Sequence, residues 1–141
     1  RPEATAQEIT DGWLHTGDIA YMDGDEFIYL VDRAKDMVLR GGENVYCAEV
    51  ESALFEHESV AECVVFGVED ERLGEEVAAA IYLTHVGSAD TEGLRAYLRE
   101  KLSSYKIPRY IWLVDAPLPR NANGKFVKRE VRDLLDLADA Q

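Results

Sequence analysis

A lysine on a glycine turn is the first residue in this sequence that could carry chemistry. Lys125 follows Asn123-Gly124 at the end of the segment Pro119-Arg120-Asn121-Ala122-Asn123-Gly124-Lys125. An ammonium group held in a cleft could neutralise charge that develops between a carboxylate and a phosphate. A lysine on a surface loop is the more ordinary interpretation of the same residues. The segment alone does not distinguish the two.

Charged residues nearer the start of the chain could bind a nucleotide. Asp18 follows a glycine, and a carboxylate at such a turn can accept hydrogen bonds from both hydroxyls of a ribose. Arg33 could offer its planar guanidinium to ribose or phosphate oxygens, and Lys35, two residues later, could lie at a hinge. A turn capped by Asp18 and a solvated charged crossover around residues 32–36 are the simpler alternatives.

A pair of glycines, Gly41-Gly42, follows Arg40. Adjacent glycines allow a ligand to approach the backbone closely, and a neighbouring arginine suits a phosphate group. The same glycines could equally form a plain turn from a strand into a helix. This segment is therefore a second candidate for binding a phosphorylated ligand, with a structural alternative.

The charge balance excludes some classes of partner. The chain has 141 residues, with 15 Lys and Arg against 28 Asp and Glu, and a formal net charge of -13. A protein this acidic is not expected to bind a nucleic-acid polymer or an anionic membrane by itself. Residues 94–141 are different, with 10 basic and 6 acidic side chains. This final third is expected to meet an anion or an acidic neighbour, or to form a solvated helix face.

The cysteines, the hydropathy and the first residues of the chain limit the class of protein further. Cys47 and Cys63 have neither CxxC nor zinc-site spacing, so we expect reduced thiols, a cytosolic protein and no metal site. The longest apolar run, 77–83, is too short to span a membrane. The sequence starts with Arg1-Pro2, without an initiator Met or a signal peptide, so we expect a fragment of a longer protein.

The elements that must position these residues predict an α+β fold. We expect a small mixed β-sheet flanked by about three helices, preceded by a short β-rich segment with an irregular start over the first ten residues. A boundary near residue 34 separates the two parts. The predicted strands lie at 18–22, 27–31, 37–39, 60–68, 77–83 and 110–114. The predicted helices lie at 48–56, after Asp90, and after Asn123-Gly124 with a stripe of Val127, Val131, Leu134 and Leu135.

In their order and spacing these segments resemble the carboxy-terminal end of the adenylate-forming superfamily. This superfamily contains acyl-CoA synthetases, aryl-CoA ligases, luciferases and the adenylation domains of peptide synthetases. The resemblance runs from about Asp11 to about Leu135, and it is carried by GWLHTGDIAYMDGDEFIYLVDRAKDMVLRGGENVYCAEVE and LPRNANGKFVKRE. GGEN, YxAEVE and PRNxNGK are most similar to fatty-acyl-CoA synthetases. Cys47 and Asn121 depart from the Pro and Thr of many relatives.

The resemblance implies a two-step ligase. A carboxylic acid attacks the α-phosphate of Mg-ATP to give acyl-adenylate and pyrophosphate, and CoA then displaces AMP to give a thioester. Residues 1–34 would end the large amino-terminal adenylation domain, and residues 35–141 would form the mobile carboxy-terminal domain. ATP, Mg²⁺, coenzyme A, the acid and the protein's own large domain are the implied cofactors and partners. The fragment alone should be inactive. We expect a cytoplasmic enzyme, with any peripheral membrane attachment through the large domain.

The same resemblance assigns roles to individual residues. Lys125 matches the lysine that bridges carboxylate and α-phosphate, and its segment resembles one at which relatives are acetylated, so a lysine acetyltransferase is a further expected partner. The remaining assignments are Asp18 for the ribose hydroxyls, Arg33 for the nucleotide, Lys35 for the hinge, Gly42 for the pantetheine tunnel, and Arg40 and Lys106 for the phosphates of CoA.

Two alternatives remain open. The first is an enzyme of the same superfamily with another acceptor, such as a carrier-protein ligase or an amino-acid adenylation domain. The second is a stand-alone binding module that has lost catalysis. A scaffold has no need of Asp18, Arg33 and Lys125 together, which argues against the second alternative.

Overall fold

The first 35 residues are rich in β-structure, and they form two hairpins. Strands β1 (Ile9–Thr10) and β2 (Trp13–Leu14) pair across the Asp11-Gly12 turn. Strands β3 (Asp18–Met22) and β4 (Ile28–Arg33) form a second antiparallel pair. The computed structural model describes the whole chain except the side chains at positions 4 and 7. It divides into two compact units, Arg1–Lys35 and Asp36–Gln141.

The prediction of an irregular start is wrong. Helix α1 spans Pro2–Glu8. Proline is well suited to the first helical position because its φ is already helical and its missing N–H would have no partner there. The Thr5 hydroxyl and the Thr5 N–H both donate to the carbonyl of Arg1, at 3.0 Å each. The segment is largely polar, so it has no apolar periodicity from which a helix could be predicted.

The second unit has the α+β architecture that the sequence predicts. Its strands are β5 (Val38–Arg40), β6 (Glu43–Val45), β7 (Val60–Asp70), β8 (Gly74–Leu83) and β9 (Tyr110–Val114). Four of them follow the order β6-β5-β8-β7 in the sheet, and β9 pairs in parallel with β8. The mixed sheet with about three helices is confirmed. The helices are α2 (Cys47–Phe55), α3 (Thr91–Arg99) and α4 (Lys128–Asp133), with short 3₁₀ turns at Ser104–Lys106 and Leu137–Asp139.

The sheet of this unit is covered on both faces. Successive strand residues point to opposite sides, so Val65 and Ile81 pack with α2 and α3 in one cluster, whereas Phe66 and Trp112 pack with Val131 of α4 in another. Burial of both faces explains why β7 and β8 are almost continuously apolar rather than alternating. The side chain of Asp90 accepts a hydrogen bond from the Gly93 N–H at 2.7 Å and caps α3, as predicted.

Two local predictions need correction. Gly41-Gly42 joins β5 to β6, not a strand to a helix, and both glycines have positive φ (58° and 90°) as in a type I′ hairpin turn. The predicted stripe on the last helix is only partly buried, because α4 has six residues and ends before Leu134. Leu134 is 74% exposed, whereas Val131 is buried.

Strand β7 lies at one edge of the sheet. At Val65 its outward-facing backbone groups are bonded by side chains from two helices. The N–H of Val65 donates to Oε1 of Glu51 on α2 at 2.8 Å, and its carbonyl accepts from Nζ of Lys128 on α4 at 2.9 Å. Glu51 and Lys128 also pair with each other at 3.1 Å. The two helices therefore meet around the edge of β7.

Both cysteines are buried thiols of the second unit. Cys47 begins α2 and its thiol donates to the Asp36 carbonyl at 2.7 Å, and Cys63 lies on β7. Burial raises the pKa of the Cys63 thiol well above its usual range, so this thiol remains protonated at neutral pH.

None of the helices that the structure describes combines the length and apolar character needed to cross a membrane.

Candidate functional site

The loop that carries Lys125 is held by its own backbone and by one asparagine. Oδ1 of Asn121 accepts hydrogen bonds from the N–H groups of Asn123 and Lys125, each at 3.0 Å. The Asn121 N–H donates to the Lys125 carbonyl at 2.9 Å, and the Gly124 N–H donates to the Asn121 carbonyl at 2.9 Å. Gly124 has φ +78°, which glycine adopts without strain. The backbone of Lys125 is thereby fixed at the end of a tight turn.

Arg120 ties this loop to strand β7. Its Nη1 donates to the Gly124 carbonyl at 2.8 Å, and its Nη2 donates to Oε1 of Glu62 at 3.0 Å. Its Cζ lies 3.9 Å from the centroid of the Phe126 ring, in a cation–π arrangement. The second carboxylate oxygen of Glu62 accepts from the Leu118 N–H at 2.7 Å. The carboxylate of Glu62 therefore binds both Leu118, just before the loop, and Arg120 within it.

The side chain of Lys125 lies at the end of this turn. The residue is exposed, and its side chain forms no ion pair with any side chain that the structure describes. A fixed backbone with an uncompensated cation can stabilise negative charge that forms on a bound molecule. An exposed lysine without an ion pair fits both interpretations of Lys125, the charge-neutralising one and that of a lysine on a surface loop.

Asp18 and Arg33, both assigned to the nucleotide, lie opposite each other at one end of the β3–β4 hairpin. The Arg33 Nε is 3.4 Å from Oδ1 of Asp18, and both side chains keep part of their surface exposed. The N–H of Asp18 donates to Oγ1 of Thr16 at 3.2 Å. The structure thus brings an acceptor for hydroxyl groups and a guanidinium donor to the same end of one hairpin.

Lys35 is the last residue of the first unit. It is exposed and belongs to the turn of residues 34–36, between β4 and β5. The preceding Ala34 is tied to its own unit, because its N–H donates to the Gly17 carbonyl at 2.8 Å. A turn between two compact units is where a change of backbone angles would reorient them.

Gly42 lies in the β5–β6 turn with open space around it. A Cβ built on Gly42 would meet nothing within 4 Å, and its φ is +90°. The neighbouring Gly41 donates its N–H to the Leu73 carbonyl at 2.8 Å. The turn is therefore anchored on one side and accessible at Gly42.

Arg40, which we assigned to a CoA phosphate, is engaged by a buried carboxylate. Its Nε and Nη2 both donate to Glu76, the second of these at 3.0 Å, and Glu76 is fully buried on β8. Arg109 approaches the same carboxylate at 3.8 Å. The hydrogen bonds to Glu76 raise the pKa of Arg40. Arg40 therefore neutralises a buried charge in the sheet.

Lys106, assigned in the same way, is also paired. Its Nζ donates to both carboxylate oxygens of Glu49 on α2, at 2.6 and 2.7 Å. The hydrogen bonds to Glu49 raise the pKa of Lys106 above the ordinary lysine value. This pair joins the 3₁₀ turn Ser104–Lys106 to the start of α2.

The raised pKa of Lys106 predicts a stability change at alkaline pH. A cation with a higher pKa in the folded state stabilises fully below the ordinary lysine pKa and loses this contribution as pH rises through the folded value. Between pH 9 and about 11.5 the free energy of unfolding should fall more steeply for wild type than for Lys106→Met. Urea unfolding across this range measures it, with Lys125→Met as the control lysine. Equal slopes for wild type and Lys106→Met would contradict the assignment.

The sequence did not identify Glu62 as a partner of this loop, and it placed Arg120 only within a motif. The available signal was a glutamate in the otherwise apolar predicted strand 60–68, which predicts a polar partner. It could not identify a partner 58 residues away. Among the described side chains, no group of three or more His, Cys, Asp or Glu is placed to hold a metal ion.

The chain is similar to known CoA ligases over nearly all of its length. The 2-succinylbenzoate–CoA ligase of Geobacillus kaustophilus is 50% identical over 135 residues, 96% of this chain and 27% of that protein. A feruloyl-CoA synthase of an Amycolatopsis species is 46% identical over 132 residues, 94% of this chain and 27% of that protein. This chain therefore spans about a quarter of the length of these relatives.

A solved structure shows the same fold. The o-succinylbenzoate CoA synthetase of Bacillus subtilis, in complex with its acyl-adenylate intermediate, has a TM-score of 0.85 at 40% identity, over 94% of this chain and 27% of that chain. The resemblance to the adenylate-forming superfamily is thereby confirmed, whereas a fatty-acyl form is not distinguished from other acid ligases. The family model described as the AMP-binding enzyme C-terminal domain matches residues 49–125, more than half of the sequence, and the chain belongs to this family.

Proposed function

We propose that this chain is the carboxy-terminal part of an ATP-dependent acid–CoA ligase. The ligase would convert a carboxylic acid and Mg-ATP to acyl-adenylate and pyrophosphate, and then transfer the acyl group to the thiol of CoA with release of AMP. The observation that carries the proposal is the Lys125 loop, in which a rigid backbone presents an exposed ammonium group with no ion-pair partner among the described residues.

In the first step Lys125 would lie between the attacking carboxylate and the α-phosphate. Both groups are anionic, so their approach is unfavourable until a cation neutralises part of the charge. Charge also grows on the phosphate oxygens as the acid attacks, and a preorganised ammonium stabilises this state without reorganisation. Asp18 would accept hydrogen bonds from the ribose hydroxyls, and Arg33 would donate to the nucleotide beside it.

In the second step the pantetheine arm of CoA would pass over the β5–β6 turn at Gly42. The open space around this residue supports the assignment, since a side chain there would fill it. Lys35 would act as the hinge between the two steps. Arg40 and Lys106 are weaker candidates for the CoA phosphates, because Glu76 and Glu49 already hold their charges.

The first unit supports the view that residues 1–34 end a larger domain. Its two hairpins expose an unusual number of large apolar side chains. Such surface is normally covered by another part of the protein, and here the large amino-terminal domain would cover it. The exposed side chains include Trp13, Leu14, Met22, Phe27, Ile28 and Leu30.

The same proposal includes the acid substrate, the cellular compartment and the acetylation of Lys125. The forms GGEN and PRNxNGK favour a fatty acid, whereas the two relatives above are named for 2-succinylbenzoate and ferulate. We place the enzyme in the cytoplasm, where two buried thiols remain reduced. Acetylation of Lys125 would remove the charge on which the first step depends.

The test is made on the full-length protein. Pyrophosphate–ATP exchange is measured with a panel of aliphatic and aromatic acids, followed by AMP release and thioester formation with and without CoA. Exchange that requires an acid, together with a thioester that requires CoA, supports the proposal. Absence of exchange with every acid overturns it. Exchange without any CoA thioester overturns the CoA step and favours another acceptor.

A further inference from the structure

We propose that Arg120 and Glu62 are positioning residues for Lys125, acting from strand β7 through the loop backbone. The proposal rests on the adenylation role proposed for Lys125. Neither residue would touch the substrate. Each would act by holding the loop in the place where the ammonium group meets the reacting carboxylate and phosphate.

The guanidinium of Arg120 makes three contacts of different kinds. It donates to the carbonyl of Gly124, the residue directly before Lys125, at 2.8 Å. It donates to Oε1 of Glu62 at 3.0 Å, and it lies over the Phe126 ring at 3.9 Å. Gly124 and Phe126 are the two chain neighbours of Lys125. One planar group therefore contacts the backbone on one side of the lysine and a side chain on the other.

Glu62 anchors that group to the rigid sheet. It lies in register with Tyr82 of the neighbouring strand β8, and its side chain is largely buried. One carboxylate oxygen binds Arg120, and the other accepts the Leu118 N–H at 2.7 Å. A buried carboxylate with both oxygens used is expected to hold its partners in one geometry.

The loop has few other attachments that could replace this one. Residues 121–125 are exposed, and the hydrogen bonds of Asn121 act within the turn itself. They set the shape of the turn, whereas the Glu62–Arg120 pair fixes the turn to β7. Displacement of a catalytic group by about 1 Å can reduce a rate by roughly 10²-fold. Loss of the pair should therefore impair the chemistry while the turn still forms.

The experiment compares the two half-reactions in the full-length protein. Arg120→Lys, Arg120→Gln and Glu62→Gln should each reduce the kcat of pyrophosphate exchange by roughly 10–100-fold with a smaller change in the KM for ATP. Thioester formation from supplied acyl-adenylate should remain close to wild type. The double variant Arg120→Gln with Glu62→Gln should be no slower than the worse single variant, because both act through one contact.

Two reference variants make the result specific. Arg129→Gln removes a cation from α4 that is 90% exposed and whose ion-pair partner among the described side chains is Asp133 of the same helix, and it should leave both half-reactions unchanged. Lys125→Ala tests the proposed function itself. If Lys125→Ala impairs exchange but the Arg120 and Glu62 variants do not, the positioning role alone is overturned. If wild type shows no exchange, or Lys125→Ala has no effect, both proposals are overturned. Equal losses in both half-reactions indicate general damage and overturn the positioning role.

Discussion

Lys125→Ala should slow acyl-adenylate formation by about 10²–10³-fold in the full-length protein, equivalent to roughly 2.7–4 kcal/mol of transition-state stabilisation. The substitution removes the one exposed ammonium of the rigid loop and leaves the loop hydrogen bonds in place, since these use the Asn121 amide and backbone groups. Pyrophosphate–ATP exchange measures the first step directly. Thioester formation from supplied acyl-adenylate should be retained, because the carboxylate and the α-phosphate are already joined.

The comparison needs a control of matched charge. Arg129→Ala removes a cation four residues further along the chain, from a position exposed to solvent, and exchange should stay at the wild-type rate. Lys125→Gln, which removes the charge but keeps a polar side chain, should behave like the alanine variant. Normal exchange in Lys125→Ala would exclude Lys125 from the first step.

Arg40→Met should destabilise the second unit by about 3 kcal/mol, because it leaves the buried Glu76 carboxylate without its main partner. Arg109 offers limited compensation, since it lies 3.8 Å from the carboxylate and is more than half exposed. Urea unfolding of the chain, followed by circular dichroism, measures the change. The loss should be present without any ligand.

The second half of this test removes both charges. The double variant Arg40→Met with Glu76→Met should recover most of the lost stability, because no buried charge remains unpaired. Wild-type stability in Arg40→Met, together with a raised KM for CoA, would contradict the structural role and return Arg40 to the CoA site.

The fold was largely predictable because its strongest signals are local. Strand β9 was predicted with its observed bounds, and β7 and β8 within three residues at each end, since a buried strand is an apolar run bounded by polar turns. Helix α4 was harder. Its predicted stripe extended to Leu135, but the helix ends at Asp133, and Leu134 points to solvent. The periodicity of apolar residues shows where a helix lies, but it does not show at which residue the helix ends.

The site was predictable only in part, for a related reason. Lys125 and Gly42 were assigned to the site through short motifs, whereas the contact between the Lys125 loop and strand β7 joins Arg120 to Glu62, 58 residues away. A long-range pair of this kind leaves no periodic signal in the sequence. Its existence depends on the sheet that brings β7 beside the loop.

The uneven charge of the chain is also explained by contacts between residues that are far apart in the sequence. The basic final third was expected to meet an anion or an acidic neighbour, or to form a solvated helix face, and for half of its ten cations the acidic neighbour lies within the second unit itself. Five of its cations pair with carboxylates between residues 49 and 76: Lys101 with Glu56, Lys106 with Glu49, Arg109 with Glu76, Arg120 with Glu62 and Lys128 with Glu51. Lys125 is one of the five cations of this third that lie outside this set.

The side chains that bond Val65 at the edge of β7 have a consequence for association between molecules. An exposed sheet edge is a template to which a strand from another chain can add. Here the central N–H and C=O of the edge are already bonded by Glu51 and Lys128, and an incoming strand would have to break both bonds and their ion pair. Glu51 and Lys128, which join α2 to α4, therefore also hinder strand addition and aggregation at this edge.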